Sequence, residues 1–113
     1  DDPSRGALGV DPARALRAAL PGEPRILLAH RPSLFEICAN AGAQLVLSGH
    51  THGGQIAFSP RWSLARLLGP HTMGLYRAEG AHLYVHRGMG TVGPAPLRLG
   101  SPPEIALLTL RGV

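Results

Sequence analysis

Leu45-Val46-Leu47-Ser48-Gly49-His50-Thr51-His52-Gly53-Gly54-Gln55 is an apolar run that breaks into two histidines, spaced i, i+2, and a pair of glycines. The run reads as a short buried strand, because strands covered on both faces lose their polar alternation. Open α/β sheets place ligands just beyond the carboxyl ends of their strands, which is where His50 and His52 stand. The glycines let the backbone turn sharply and admit a ligand closely. Upstream, Ile26-Leu27-Leu28-Ala29 is a second apolar run, and it ends in His30. Two strands that each terminate in histidine predict imidazoles converging on one metal site. Histidine is the commonest metal ligand, and imidazole suits Zn, Fe, Cu and Ni. The plainer alternative is a set of loop histidines that serve only as hydrogen-bond partners.

Between the two runs, Ser33-Leu34-Phe35-Glu36 has the spacing of a capping box. The helix it opens carries Leu34, Ile37, Cys38 and Ala41 on one face and closes at Gly42. Cys38 is therefore read as core rather than nucleophile. Strand, helix and strand in this order make parallel neighbours, which brings His30 and His50 to one edge of a sheet.

Farther out, Asp11-Pro12 opens a helix with Ala13, Leu16 and Leu20 on one face, stopped by Pro21-Gly22. Residues 1 to 10 read as a linker ahead of 11–113, and the length is that of one small domain. Asp1-Asp2-Pro3 has neither an initiator methionine nor signal-peptide character, as expected of a piece of a longer chain. Beyond the glycine pair, Gln55 to Phe58 reads as a short strand and Arg61 to Gly69 as a helix or lid. Leu75 to Arg77 and Ala81 to Arg87 read as a hairpin. Gly88 to Pro103 is an irregular loop, and Glu104 to Arg111 a final strand. His82, Tyr84 and His86 share one face of the hairpin strand, so a solvent-facing role is the simplest reading for those histidines. His71 lies in a loop and is read as structural.

The composition narrows the function classes. The chain has 113 residues, 44% of them hydrophobic and 16% charged, which suits a globular α/β domain with a modest core. No apolar run approaches the ~20 residues that a membrane-crossing helix needs. All 11 basic residues are arginine, scattered singly, and aromatics are 4% of the chain. A net charge of +4 accommodates anionic substrates, but this pattern lacks the basic, aromatic-interleaved stripe of a nucleic-acid binder. Gly88-Met89-Gly90-Thr91-Val92-Gly93 spells a dinucleotide fingerprint. That motif needs a helix to begin there and an acidic residue ~20 positions on. Pro94 and Pro96 intervene and the acid is missing, so the match is a false positive. The carboxylates (Asp1, Asp2, Asp11, Glu23, Glu36, Glu79 and Glu104) all lie far in sequence from the histidine pair.

Gly49-His50-Thr51-His52-Gly53-Gly54-Gln55 resembles the last motif of the calcineurin-like metallophosphoesterases, in the bacterial branch with the extended GHTHGGQ form. Leu28-Ala29-His30-Arg31-Pro32 is similar to that family's preceding single-histidine motif, with Ser33 where an aspartate is often found. Gly74-Leu75-Tyr76, Leu83 to Gly90 and Pro102-Pro103-Glu104-Ile105 resemble the branch's carboxyl-terminal landmarks, with His86 in place of the more usual small polar residue. The family's earlier motifs (Asp-x-His, Gly-Asp-x-x-Asp and Gly-Asn-His-Asp/Glu) have no counterpart here.

The resemblance implies an α/β chain that forms the carboxyl-terminal half of a two-sheet αββα sandwich. It implies a metal-dependent phosphoesterase, most simply a phosphodiesterase, with two divalent ions (Mn, Fe or Zn). His30 and His50 would ligate one ion and His52 the other, with no further catalytic residue in this chain. The expected substrate is a small-molecule or lipid-linked phosphoester, with no nucleic-acid partner. Three neutral imidazoles cannot screen two cations held close together, so the isolated chain is expected to be inactive. It is also expected to pair with the missing amino-terminal half or with itself through an uncovered apolar face, for which Leu28, Val46 and Leu107 are candidates. The rival reading is a non-catalytic metal-binding or structural module.

Overall fold

A computed structural model describes residues 9–59, 62–78, 80–93 and 96–111. Most of the expected linker, residues 1–8, lies outside the described residues, as do Pro60, Arg61, Glu79 and Pro94. The centre is a four-stranded sheet of β1 (Ile26–Leu28), β2 (Leu45–Ser48), β5 (Gly74–Ala78) and β6 (Ala81–Val85) in the order β1-β2-β6-β5. β1, β2 and β6 run parallel, and β5 returns antiparallel along β6 as the expected hairpin. A smaller antiparallel pair joins β3 (Ala57–Ser59) to β4 (Trp62–Ser63). The result is a mixed α/β architecture, a four-stranded sheet with few helices, consistent with a fragment of the fold that the resemblance implies.

Strand pleating decides which residues meet. The register aligns Leu27 with Val46 and Val46 with Leu83, which puts all three on one face. Helix α2 (Phe35–Asn40) covers that face, and Leu34, Phe35 and Cys38 pack there with Ala43, Val46, Ala81, Leu83 and Val85. Cys38 is core, as its helical spacing indicated, and burial pushes its thiol pKa up. The opposite face aligns Ile26, Leu45, His82 and Arg77 in one row and Leu28, Leu47, Tyr84 and Leu75 in the next. Leu28 is 81% exposed there. Val46, expected beside Leu28 on the open face, is instead fully buried under α2, because residues one register step apart point to opposite sides.

Four further expectations are corrected. The first helix, α1, is a single turn, Pro12–Ala15. Asp11 does cap it, accepting from the Arg14 amide at 2.9 Å. Of its expected apolar stripe only Leu16 reaches the core, while Ala13 and Leu20 stay exposed, and helices this short persist only where packing holds them. The capping box does not form. Pro32 starts a 3-10 turn over Pro32–Leu34, so Ser33 lies inside helical backbone and no side chain caps either segment. Residues 104–111 are not a strand: Ile105 and Leu107 are 84% and 94% exposed, and a strand exists only where a neighbour takes up its backbone hydrogen bonds. The segment expected as a helix or lid divides into β4 and a 3-10 turn, Leu64–Leu68, capped by the Ser63 hydroxyl. Among the described residues no helix is long and apolar enough to cross a membrane.

Glu104 fastens the start of that last segment to the open face. Its carboxylate accepts from the Tyr84 hydroxyl, the Arg87 amide at 3.1 Å and Arg87 Nε at 2.8 Å. Burial alone would raise the Glu104 pKa, but the hydrogen bonds from Tyr84 and Arg87 outweigh it and hold the group at about 2. Burial and the adjoining carboxylate push Tyr84 up to about 12. The clip is therefore intact between the ordinary pKa of a glutamate and that of a tyrosine. As pH falls from about 4.5 towards 2 the folded state gives up the Glu104 contribution, and above about 10 it gives up that of Tyr84. Glu104→Gln is expected to cost about 1–3 kcal/mol at neutral pH and to flatten the acid limb of a stability–pH curve, measured by denaturant melts.

Candidate metal centre

The two histidine-bearing strands are brought together by an extension of their parallel ladder. The Ala29 amide donates to Leu47 O at 3.0 Å, and the Gly49 amide to His30 O at 3.1 Å, so residues 30 and 50 leave the sheet side by side. His50 Nδ1 lies 3.1 Å from His30 Nε2, with the rings edge to face at 4.9 Å between centroids. Two nitrogens at that separation can both sit ~2.0–2.1 Å from one ion, with an angle of roughly 100° at the metal. This donor pair fits a divalent transition ion. The expected convergence of His30 and His50 at the carboxyl edge of the sheet is observed.

His52 is placed differently. Thr51 caps a 3-10 turn over His52–Gly54, its hydroxyl accepting from the Gly53 amide and donating to Thr72 O at 2.6 Å. The turn swings His52 towards the loop after β6, where Nδ1 lies 3.3 Å from Gly90 O. A carbonyl can only accept, so Nδ1 carries the proton and Nε2 keeps its lone pair for a ligand. Among the described residues no three His, Cys, Asp or Glu side chains form a group that could hold a metal ion. Within the described structure the centre is thus a pair of imidazoles and a third one apart, with no carboxylate joining them.

The loop is under backbone strain. His50 (φ 69°), His52 (φ 51°) and Gln55 (φ 56°) all adopt the left-handed region, which non-glycine residues enter at a cost. Such residues cluster where a functional geometry is imposed. Gly53 and Gly54 share the region, and an added Cβ on Gly54 would lie 2.7 Å from the Ala65 amide nitrogen.

Two side chains that hold this loop carried no role in the sequence reading. Gln55, the last residue of the motif, donates through Nε2 to Val92 O at 2.7 Å and accepts from the Val92 amide, a two-pronged clip across 37 residues. Arg98, one of many scattered arginines, bridges His52 O to the loop at residues 87–90. Its partner lies 46 positions away, so no local pattern could reveal it. The Gly88 to Gly93 stretch is irregular rather than helical, which removes the phosphate cradle a dinucleotide requires.

A pocket of about 170 Å³ opens beside His50, with Arg31, Ser33, Thr51 and His71 among its walls. His71 stacks edge to face on Phe35 and Tyr76, and burial lowers its pKa against the opposing pull of Glu36. His86 accepts the Gly88 amide at 2.8 Å and shapes the turn after β6.

No protein-family model and no solved structure matches the chain. Curated relatives do. A transmembrane protein with metallophosphoesterase domain from Bos taurus is 43% identical over 106 residues, which is 91% of this chain and 23% of that protein. An uncharacterized metallophosphoesterase of Campylobacter jejuni is 40% identical over 109 residues, 96% of this chain and 28% of its own length. One from Aquifex aeolicus is 40% identical over 88 residues, 77% of this chain and 33% of its own length. The matches thus reach beyond bacteria, and the chain spans about a quarter to a third of these relatives. With its histidine-bearing strand ends and paired imidazoles, the chain belongs to the metallophosphoesterase family and corresponds to a carboxyl-terminal region of its longer members.

Proposed function

We propose that the full-length protein is a metal-dependent phosphodiesterase with two divalent ions (Mn, Fe or Zn), one held by His30 and His50 and the other by His52. The observation that carries this reading is the His30–His50 pair, 3.1 Å between nitrogens at the carboxyl edge of a sheet, in a chain related to metallophosphoesterases. Bound ions would supply Lewis acidity towards the phosphoryl oxygens and lower the pKa of water towards neutrality. With their shared proton displaced, His30 and His50 would offer Nε2 and Nδ1 to one ion, and His52 would offer Nε2 to the other. Arg31, in the wall of the adjoining pocket, gives the anionic phosphoester a cationic approach, whether its leaving group is a small molecule or a lipid-linked head group. The carboxylates that would balance two cations belong to the part of the protein outside this chain. That part also covers the open sheet face around Leu28 and Leu75, which otherwise leaves self-association as the way to bury it.

The test is release of p-nitrophenol from bis(p-nitrophenyl) phosphate in Mn or Zn buffer, with residues 1–113 alone and the full-length protein in parallel. Turnover by the full-length protein and none by the isolated chain is expected. Comparable rates would put a complete site within this chain, and no turnover by either would favour a non-catalytic metal-binding module.

A further inference from the structure

We infer that Arg98 is the positioning residue of His52, the side chain that fixes which nitrogen of this imidazole faces a metal. The inference rests on the reading of His52 as a ligand given above. The Arg98 guanidinium donates to five backbone carbonyls: Nη1 to His52 O at 3.2 Å and Ser101 O at 3.0 Å, Nη2 to Arg87 O at 2.9 Å and Gly88 O at 3.2 Å, and both Nε (3.1 Å) and Nη2 to Gly90 O. An arginine has five N–H donors in a rigid planar fork, and this arrangement engages nearly all of them. Two of the acceptors belong to the His52 unit. One is the carbonyl of His52 itself, which also accepts from Ser101 Oγ at 3.2 Å. The other is Gly90 O, the oxygen that receives the His52 Nδ1 proton.

The consequence is mechanical. Gly90 sits in a loop rich in glycine, where the backbone has little intrinsic preference. Arg98 holds Gly90 O at a set distance from the His52 backbone, so one guanidinium fixes both ends of the imidazole's tether. With Gly90 O in place, Nδ1 is the protonated nitrogen and Nε2 the donor. Without it the ring can exchange tautomers and rotate, and its lone pair is no longer presented in one direction. The five carbonyls that Arg98 holds include none from His30 or His50, whose rings touch each other directly. Loss of Arg98 should therefore weaken one ion and spare the other.

The experiment uses the full-length protein. Cobalt(II) is titrated into the metal-free wild type and the Arg98→Ala, Arg98→Lys and His52→Ala variants, with the visible absorption of bound cobalt as readout. In parallel, two-bond proton–nitrogen correlation spectra of the metal-free proteins report the His52 tautomer. Arg98→Ala is expected to weaken one of two cobalt equivalents by about 10–100-fold, the range for residues behind a ligand, and leave the other unchanged. Its His52 resonances should shift from a pure Nδ1–H pattern to a tautomer mixture. Arg98→Lys keeps charge and stem but cannot span five carbonyls, so it should behave similarly and decides the matter if Arg98→Ala does not fold. An unchanged tautomer and both equivalents at wild-type affinity would overturn the inference. So would equal loss of both equivalents with the tautomer intact, which marks a merely structural arginine. If His52→Ala retains both equivalents, the ligand reading of His52 fails instead, and the tautomer spectra alone judge the positioning role.

Discussion

Full-length protein carrying His50→Ala is expected to lose phosphodiester hydrolysis by on the order of 10³-fold or more, beyond the ~10–100-fold cost of changes behind a ligand. In the proposed centre His50 would supply Nδ1 beside His30 Nε2, 3.1 Å away, so its removal would take half of the donor pair. It also stands in the left-handed backbone region at φ 69°, where any side chain with a Cβ is strained. His50→Gly should therefore be as inactive as His50→Ala, yet the metal-free glycine variant should be more stable by about 1 kcal/mol, because glycine enters that region freely. Turnover of bis(p-nitrophenyl) phosphate and urea melts of metal-free protein, measured on both variants, separate the two effects. Equal stability of the two variants would show that the backbone at residue 50 carries no strain. Retained turnover in either would remove His50 from the centre.

Gly54→Ala should be the most destructive single methyl in the loop. At φ 81° the position favours glycine, and the new Cβ would lie 2.2 Å from Ser63 Oγ and 2.7 Å from the Ala65 backbone nitrogen. A hydroxyl can rotate away, but the amide of a capped 3-10 turn cannot. Backbone strain and overpacking cost about 1–3 kcal/mol each, together a sizeable part of the ~5–15 kcal/mol that holds a domain folded. Loss of folded protein, or a fall in the urea midpoint of that size, is the expected result. Gly49→Ala is the matched control. It lies one residue before the strained pair, its backbone is outside the left-handed region, and its Cβ would meet nothing within 4 Å. It should shift stability by no more than about 0.5 kcal/mol. Similar costs for both would mean that glycine content, not the approach to Ala65, governs the loop.

The sequence by itself determined the parallel pair β1–β2, the helix between them and the convergence of His30 with His50. These rest on local signals: an apolar run long enough to be a buried strand, an apolar stripe at helical spacing, and a glycine at the break. Apolar periodicity survives transfer into the fold because burial acts on each residue where it stands. Tertiary structure decided the rest. Whether residues 104–111 form a strand depends on a neighbour to pair with, and whether Val46 or Leu28 faces the helix depends on register, which a run of apolar residues does not record. The sequence contained Ser33 and Glu36 at capping distance, but Pro32 began the helical backbone one residue early and left them without that role. His52 could be named from its motif, whereas the atom it presents is set by Gly90 O and by Arg98, 38 and 46 residues away. Hydrogen bonds of that span leave no periodicity in the chain. They form only after hydrophobic burial has brought the strand ends together, and so the direction of the site's third imidazole belongs to the fold.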